Sequence, residues 1–302
     1  MFPNLFVIGA AKTATTSLCR TLSSHSAVFL PHEKEPHYFC FDDKGYSPLW
    51  IGPGGNSLPL HRTRFCSRFD QYLSLYRHAE PYEYRIDGST QYLVNAEAAQ
   101  RISEKFPAAR ILVSVRRPFE RAWSAYWFNV SRGEETRSFV QALQTEMESR
   151  EERVRFSGNY VDGSNYGVHV QNWLRFFPDL AIVNSDDLKN DFTGTINAVI
   201  DWLDLPCLDL KNIEPEQQNV TTVQRSRILS ALKASMTQVK TRVGWIGRVP
   251  FANQLNQYIS GLGAKAPEAS SQERTTFEHY YKQVARPLPA KNFISATVVE
   301  RY

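Results

Sequence analysis

The chain has 302 residues, 42% of them hydrophobic and 13% aromatic, enough to bury a full enzyme core, and carries a net charge of +4. So mild a positive balance is compatible with an anionic small ligand and does not suggest a dedicated nucleic-acid binder. Cys19, Cys40, Cys66 and Cys207 show no metal-ligand spacing and read as free thiols of a reducing compartment. No window approaches about 18 consecutive apolar residues, and Met1-Phe2-Pro3 runs straight into the first strand with no leader pattern, so a cytoplasmic chain without a membrane span is expected.

Leu5 to Ile8 is a short apolar run of the buried parallel-strand kind, and Gly9 permits a tight turn after it. A helix then opens at Ala11-Lys12-Thr13-Ala14-Thr15-Thr16-Ser17. The loop amides, Lys12 and the hydroxyls of Thr13, Thr15, Thr16 and Ser17 meet at that helix N-terminus, where unsatisfied N–H groups and the helix dipole attract a nucleotide phosphate or a sulfate. An ordinary N-capped helix is the bland alternative. The kinase P-loop is the sharper competitor, but it needs two glycines four residues apart directly before Lys and Ser/Thr. Here Ala11 and Phe6 stand where those glycines belong, and no aspartate near Thr13 helps to hold magnesium.

A second strand is expected at Ala27 to Leu30, with Lys34-Glu35-Pro36-His37-Tyr38-Phe39 beyond its carboxyl end. A strand near Tyr84 to Ile86, a helix carrying Ala99, Ile102 and Phe106, and a buried strand Ile111 to Val115 follow. Pro118 suits the first turn of the next helix, whose apolar face is Phe119, Trp123 and Tyr126 or Trp127. Arg116 then sits at the carboxyl end of a parallel strand, the side where open α/β sheets bind ligands. Ser124 lies about two helical turns on, so both side chains reach one anionic group. Further elements are a charged helical stretch Phe139 to Arg155, a helix Tyr166 to Phe177, a strand Leu180 to Asn184 and a helix with Ile196, Val199, Ile200 and Leu203. This alternation predicts an α/β fold, a parallel sheet flanked by helices, over 1–205. Residues 222–283 read as mainly helical with a break at Gly261 to Ser271, giving one domain over 1–302 with a helical C-terminal part. The sequons at Asn129 and Asn219 read as chance matches.

Together the motifs resemble the sulfotransferases that use 3′-phosphoadenosine 5′-phosphosulfate (PAPS), particularly the heparan sulfate and bacterial type. Gly9, Lys12, Thr15 and Thr16 match the family's phosphosulfate loop, which is P-loop-like. Lys34, Glu35, His37 and Phe39 match its Lys-Glu-x-His-x-Phe stretch, and Arg116, Pro118, Arg121, Ala122, Ser124 and Tyr126 match its 3′-phosphate motif. Looser similarity runs through Gly88-Ser89-Thr90-Gln91-Tyr92-Leu93 and Tyr166 to Leu188. Ala14 stands where the family usually has Gly, and Gln91 where Pro is common. The late Lys-Gly-Arg loop has no clear counterpart; Gln217 to Thr221 with Arg225 and Arg227 is the best substitute.

The resemblance implies sulfuryl transfer from PAPS to a hydroxyl or amine of a small-molecule or carbohydrate acceptor, leaving adenosine 3′,5′-bisphosphate, with no metal. Ala11 to Ser17, Arg116 and Ser124 would bind the donor. Lys12 would meet charge on the leaving phosphate and Glu35 would act as general base, with His37 orienting Glu35, touching acceptor or serving as base itself, since free imidazole titrates near neutrality. If residues 34–38 are extended, Glu35 and His37 point to the same side. Phe41 to Arg68, with Gly52-Pro53-Gly54-Gly55 and basic His61, Arg62, Arg64 and Arg68, is the candidate acceptor lid. Tyr38, Phe39, Phe41, Trp50 and Trp127 are candidate walls of an acceptor pocket. A nucleotide kinase and a non-catalytic nucleotide-binding module are the alternatives.

Overall fold

The computed structural model describes residues 1–40, 68–132, 134–148, 159–210 and 266–294, with strand pairs at 50–51, 57–58, 222–223 and 264–265. Five short strands form the central sheet: β1 (Leu5–Val7), β2 (Val28–Phe29), β5 (Tyr84–Asp87), β6 (Arg110–Val115) and β7 (Ala181–Asn184). Their order is β2-β5-β1-β6-β7 and every pairing is parallel. Between them lie α1 (Thr15–Leu22), α2 (Phe69–Ser74), α3 (Ala96–Lys105), α4 (Pro118–Ser131), α5 (Phe139–Glu148), α6 (Tyr166–Leu174), α7 (Asp187–Asn190) and α8 (Phe192–Trp202). This is the expected α/β architecture.

Period-two alternation in β1 explains why the sheet is covered on both faces. Phe6 and Ile8 join Ile111, Val113 and Ile182 against Ile102 of α3 and Trp173 of α6. Leu5 and Val7 join Ile86, Leu112 and Val183 against Leu18 and Leu22 of α1 and Val199 of α8. The chain moves from β1 outward to β2 and β5 on one side and to β6 and β7 on the other. The switch point is therefore the carboxyl edge between β1 and β6, where such sheets leave a crevice for ligands. The loop after β1 and Arg116 after β6 both open there.

Local chemistry fixes the helix starts. Asn95 caps α3 by accepting from the Glu97 amide, Asp191 caps α8 through Gly194, and Pro118 occupies the first turn of α4. A third core joins Phe119, Ala122 and Tyr126 of α4 to Phe139 and Leu143 of α5 and to Phe277 of the last helix, α9 (Ser271–Val284), which opens on a Ser270–Glu273 capping box.

The region expected to be mainly helical over 222–283 differs in part. Beside α9 it contains an antiparallel pair, β8 (Thr222–Val223) with β9 (Ala264–Lys265), the second lying inside the expected break. Two β-branched residues suit a strand better than a helix there. The stretch Phe139 to Arg155 is helical to Glu148, and 149–158 lie outside the described residues. Of the candidate lid, β3 (Trp50–Ile51) and β4 (Ser57–Leu58) form an antiparallel pair. Phe41, His61, Arg62 and Arg64 lie outside the described residues, as do Cys66, Gln217 to Thr221, Arg225 and Arg227. No described helix is long and apolar enough to cross a membrane. Asn129 is buried and donates to the Tyr160 hydroxyl at 3.1 Å.

Candidate active site

The loop after β1 is tied down by backbone bonds. The Ala10 amide donates to the Ser114 carbonyl at 2.6 Å, and the Ser114 amide donates to the Gly9 carbonyl at 2.7 Å. Gly9, at φ 142°, is required: a Cβ there would lie 2.8 Å from the Thr90 carbonyl and 2.9 Å from Leu93 Cβ. Lys12 and Ala14 both take left-handed φ values, 73° and 60°. Ala14 thus holds the conformation that glycine favours, and it is the N-cap of α1 with no side-chain cap. No acidic residue stands in the first turn. The first return bond runs from the Leu18 amide to the Ala14 carbonyl, so the amides of Thr15, Thr16 and Ser17 precede it. The result is an open, electropositive helix terminus.

The hydroxyls divide. Thr13 is fully buried, with Oγ1 within 2.6 Å of the Ala10 carbonyl and 2.9 Å of the Ser114 carbonyl. Its hydroxyl braces the loop rather than facing a ligand, which corrects the expectation that it serves as an anion donor. Thr15 is buried and Thr16 and Ser17 are half-buried, and none of their hydroxyls has a hydrogen-bond partner among the described residues. Ala11 contributes its carbonyl inward, accepting from Arg121 Nε at 3.2 Å. Arg121 is a buried clamp: its guanidinium also reaches the Asn159 carbonyl, and a Cβ on Gly163 would come within 2.6 Å of it.

Lys12 has no carboxylate partner among the described residues; its ammonium rests 4.3 Å from the centroid of the exposed Phe128 ring. Burial, then the charges of Arg116 and Arg121, lower it from 10.5 to about 8, against an opposing pull from Glu35. Arg116 follows β6 as expected. Its Nε is buried with no hydrogen-bond partner, 3.9 Å from Asp186 Oδ1, while Asp186 is held at 3.0 Å by Arg117. Ser124 is half-buried on the second turn of α4. Lys189, lowered by burial and by the Arg116 charge, adds a cation to this end of the sheet.

Glu35 lies beyond β2 with its carboxylate engaged three ways. Lys34 Nζ donates to Oε1 at 2.8 Å, Thr90 Oγ1 donates to Oε2 at 3.2 Å, and His37 Nε2 stands 3.2 Å from Oε2. Burial by itself raises the carboxyl, but the hydrogen bond from His37 and the charge of Lys34 outweigh it and hold Glu35 well below the usual carboxylate range. Glu35 and His37 do come together, though not by strand alternation: His37 takes φ 51°, and residues 38–40 form a 3-10 turn. Of the candidate wall, Phe39 belongs to the core and Tyr38 stacks on Tyr72 at 4.9 Å, while Trp127 is half-buried beside Trp123. Arg68, from the lid's basic end, is paired with Asp70 at 2.6 Å.

In the sequence Ser89 and Thr90 stand out only by similarity, and no pattern marks Asp87 or Phe128. The signal was available in the first case: a second hydroxyl-rich turn stands at the carboxyl end of a strand adjacent to β1.

This geometry places an uncapped helix terminus and Lys12 at a parallel-sheet switch point, with the Glu35 carboxylate close enough to act on the Lys12 charge. The sequence matches the sulfotransferase family over residues 3–209, and the chain belongs to that family. The bifunctional heparan sulfate N-deacetylase/N-sulfotransferase 1 of Caenorhabditis elegans is 24% identical over 211 residues, covering 68% of this chain and 22% of that protein. Human heparan sulfate glucosamine 3-O-sulfotransferase 5 is 24% identical over 208 residues, 68% of this chain and 54% of that protein. The chain thus matches about half or less of the length of these relatives. The sulfotransferase from Alicyclobacillus acidocaldarius shares the fold at a TM-score of 0.60 and 23% identity, over 81% of this chain and 96% of that one.

Proposed function

We propose that the chain transfers the sulfuryl group of PAPS to a hydroxyl or amine of a small-molecule or carbohydrate acceptor, with Glu35 as general base and Lys12 meeting the leaving phosphate. The observation that carries this reading is one meeting of opposite charges at the carboxyl edge of the sheet. An uncapped helix terminus with Lys12, free of any carboxylate ion pair among the described residues, lies close enough to an ionised Glu35 for that charge to act on Lys12. The residues present fit the donor: Arg116 Nε is buried with no hydrogen-bond partner, and the hydroxyls of Thr15, Thr16 and Ser17 have none among the described residues. Ala11 to Ser17 would hold its 5′ end through loop amides, and Arg116 with Ser124 its 3′-phosphate. The carbohydrate option is supported by the heparan sulfate relatives.

When bound, PAPS supplies the sulfuryl group and departs as the bisphosphate. In such an in-line displacement the protein must place two oxygens and neutralise charge on one of them. Lys12 donates a proton in a hydrogen bond to the leaving oxygen, where negative charge grows, so its contribution is larger in the transition state than before it. Glu35 accepts the acceptor's proton on a carboxylate oxygen. His37 and Thr90 fix the carboxylate plane, and His37 and then Lys34 keep it ionised.

The test pairs binding with turnover. Adenosine 3′,5′-bisphosphate should raise the melting temperature and ATP should not, and labelled PAPS should pass label to at least one member of a panel containing heparan sulfate, phenols and amino sugars. Stabilisation by ATP alone would return the reading to a nucleotide kinase, and bisphosphate binding without any transfer to a non-catalytic module.

A further inference from the structure

Asp87 ends β5 and is completely buried, yet neither the fold nor the reaction above explains why a carboxylate should be there. It accepts from four donors. The hydroxyls of Tyr72 and Tyr92 reach Oδ2 at 2.7 and 3.0 Å, and the hydroxyl and amide of Ser89 reach Oδ1 at 2.6 and 3.1 Å. Two of these hydroxyls do a second job. Ser89 Oγ accepts from the His37 amide at 3.0 Å, and the Tyr92 hydroxyl accepts from the Phe39 amide at 3.3 Å. Each hydroxyl has one proton, and Asp87 takes both, which leaves their lone pairs to the backbone of 37–39. Charge-assisted bonds are the stronger kind, and a hydroxyl polarised by a carboxylate is a better acceptor.

The segment so held needs holding. His37 sits at φ 51°, a left-handed conformation that is unfavourable for a residue with a Cβ. Its ring contacts Glu35 two residues back, and Thr90, one residue after Ser89, donates to the same carboxylate. Tyr72, a third partner of Asp87, stacks on Tyr38 within the segment.

We propose that Asp87 is a positioning residue of the reaction. Through the Ser89 and Tyr92 hydroxyls it orders residues 37–39, and so sets the register of Glu35 and His37 against the phosphate loop. The inference rests on the roles given to Glu35 and His37, and it makes β5 and its following turn a second rigid wall of the site.

The tether itself is read by amide hydrogen exchange. Ser89→Ala should speed exchange at His37, Tyr92→Phe at Phe39, and Asp87→Asn at both, with the amides of Ala10 and Ser114 unchanged. Function is read as release of labelled sulfate from PAPS, to water and to heparan sulfate. Ser89→Ala should lower turnover about tenfold or more while bisphosphate affinity stays within about twofold, as expected for misplacement on the acceptor side alone. In a Glu35→Gln background the same substitution should cost less than about twofold, because residues acting through one group are not additive. A general loss of packing would instead weaken bisphosphate binding and multiply across the two backgrounds, and that result overturns the proposal. So does unchanged turnover in Ser89→Ala and Tyr92→Phe when Glu35→Gln is inactive, which leaves the roles of Glu35 and His37 intact. Full activity in both Glu35→Gln and His37→Ala overturns the catalytic reading and the positioning role with it. Should Asp87→Asn not fold, the two hydroxyl variants carry the test.

Discussion

The loop at 9–17, which carries Lys12, and the segment at 34–40, which carries Glu35, are held by different partners. Backbone bonds to β6, the Thr13 and Ser114 hydroxyls and one buried arginine hold the loop, and they engage its carbonyls and the Ala10 amide. No acidic residue stands in the first turn of α1, and Lys12 forms no ion pair with a carboxylate among the described residues, though the Glu35 charge acts on it. The segment at 34–40 is held by side chains, and its carboxylate is compensated from three directions. A site for an anion that arrives and departs must keep positive charge free to meet it; burial first, and then the charges of Arg116 and Arg121, depress Lys12 to about 8. A base that must stay ionised in a crevice needs its compensation built in, which is why Glu35 lies well below the usual range.

The comparison breaks most sharply at Lys12. Lys12→Ala should lower turnover about a thousandfold at saturating PAPS, in line with loss of a preorganised donor to developing charge, and change bisphosphate affinity far less. Equal losses in both would mean that Lys12 only binds. On the opposite wall, Glu35→Gln should cost about a hundredfold in turnover and leave bisphosphate affinity unchanged. If His37→Ala is inactive and Glu35→Gln active, the base is His37.

Arg116→Ala separates binding from chemistry on the cationic side. Its guanidinium meets a phosphate that the reaction does not alter, so loss of a charged hydrogen bond, about 1.5–3 kcal/mol, should weaken bisphosphate binding about ten- to a hundredfold and leave saturated turnover near normal. Isothermal titration and saturation kinetics distinguish the two. The pH profile sharpens the contrast further. The working form of Lys12 is protonated and its value in the free protein is about 8, so kcat/KM should fall about tenfold per pH unit above 8. An anion beside Lys12 favours the charged form, so the same limb in kcat should move to higher pH. Glu35 stays ionised throughout and adds no limb near neutrality. A limb at 8 that survives in Lys12→Arg would belong to another group.

The two walls also differ in how far the sequence reveals them. The loop was legible because its parts are contiguous: strand, Gly9, Lys12 and hydroxyls lie within thirteen residues, and Arg116 announces itself at the end of an apolar strand. The sheet was legible for the same reason, from alternation in Leu5 to Ile8 and Ile111 to Val115. What escaped is what depends on distant pairing. That the Thr13 hydroxyl turns inward depends on Ser114, 101 residues away. The setting of Glu35 and His37 depends on Asp87, Ser89 and Thr90, more than fifty residues on. The two-residue strands β8 and β9 are too short for any periodicity to show.

Ala14 is the smallest test, and it probes the loop's backbone rather than its charge. At φ 60° and ψ 21° it pays about 1–2 kcal/mol for carrying a Cβ in the left-handed region. Glycine removes that strain and is a better N-cap than alanine, but it loosens the unfolded chain by about 0.4–1 kcal/mol. The balance favours Ala14→Gly by up to about 1 kcal/mol, a rise in melting temperature of roughly 1–4 °C for a chain of this size. Ala14 is exposed and its substitution touches no charged group, so bisphosphate affinity should stay within about twofold. Ala14→Val should move the melting temperature the other way, because a β-branched side chain fits this conformation worst. A lower melting temperature for the glycine variant would show that the loop does not hold the left-handed turn when no anion is bound. The uncompensated helix terminus would then form only around its ligand, and the contrast between a preformed anion wall and a tethered acceptor wall would become one between an induced site and a fixed one.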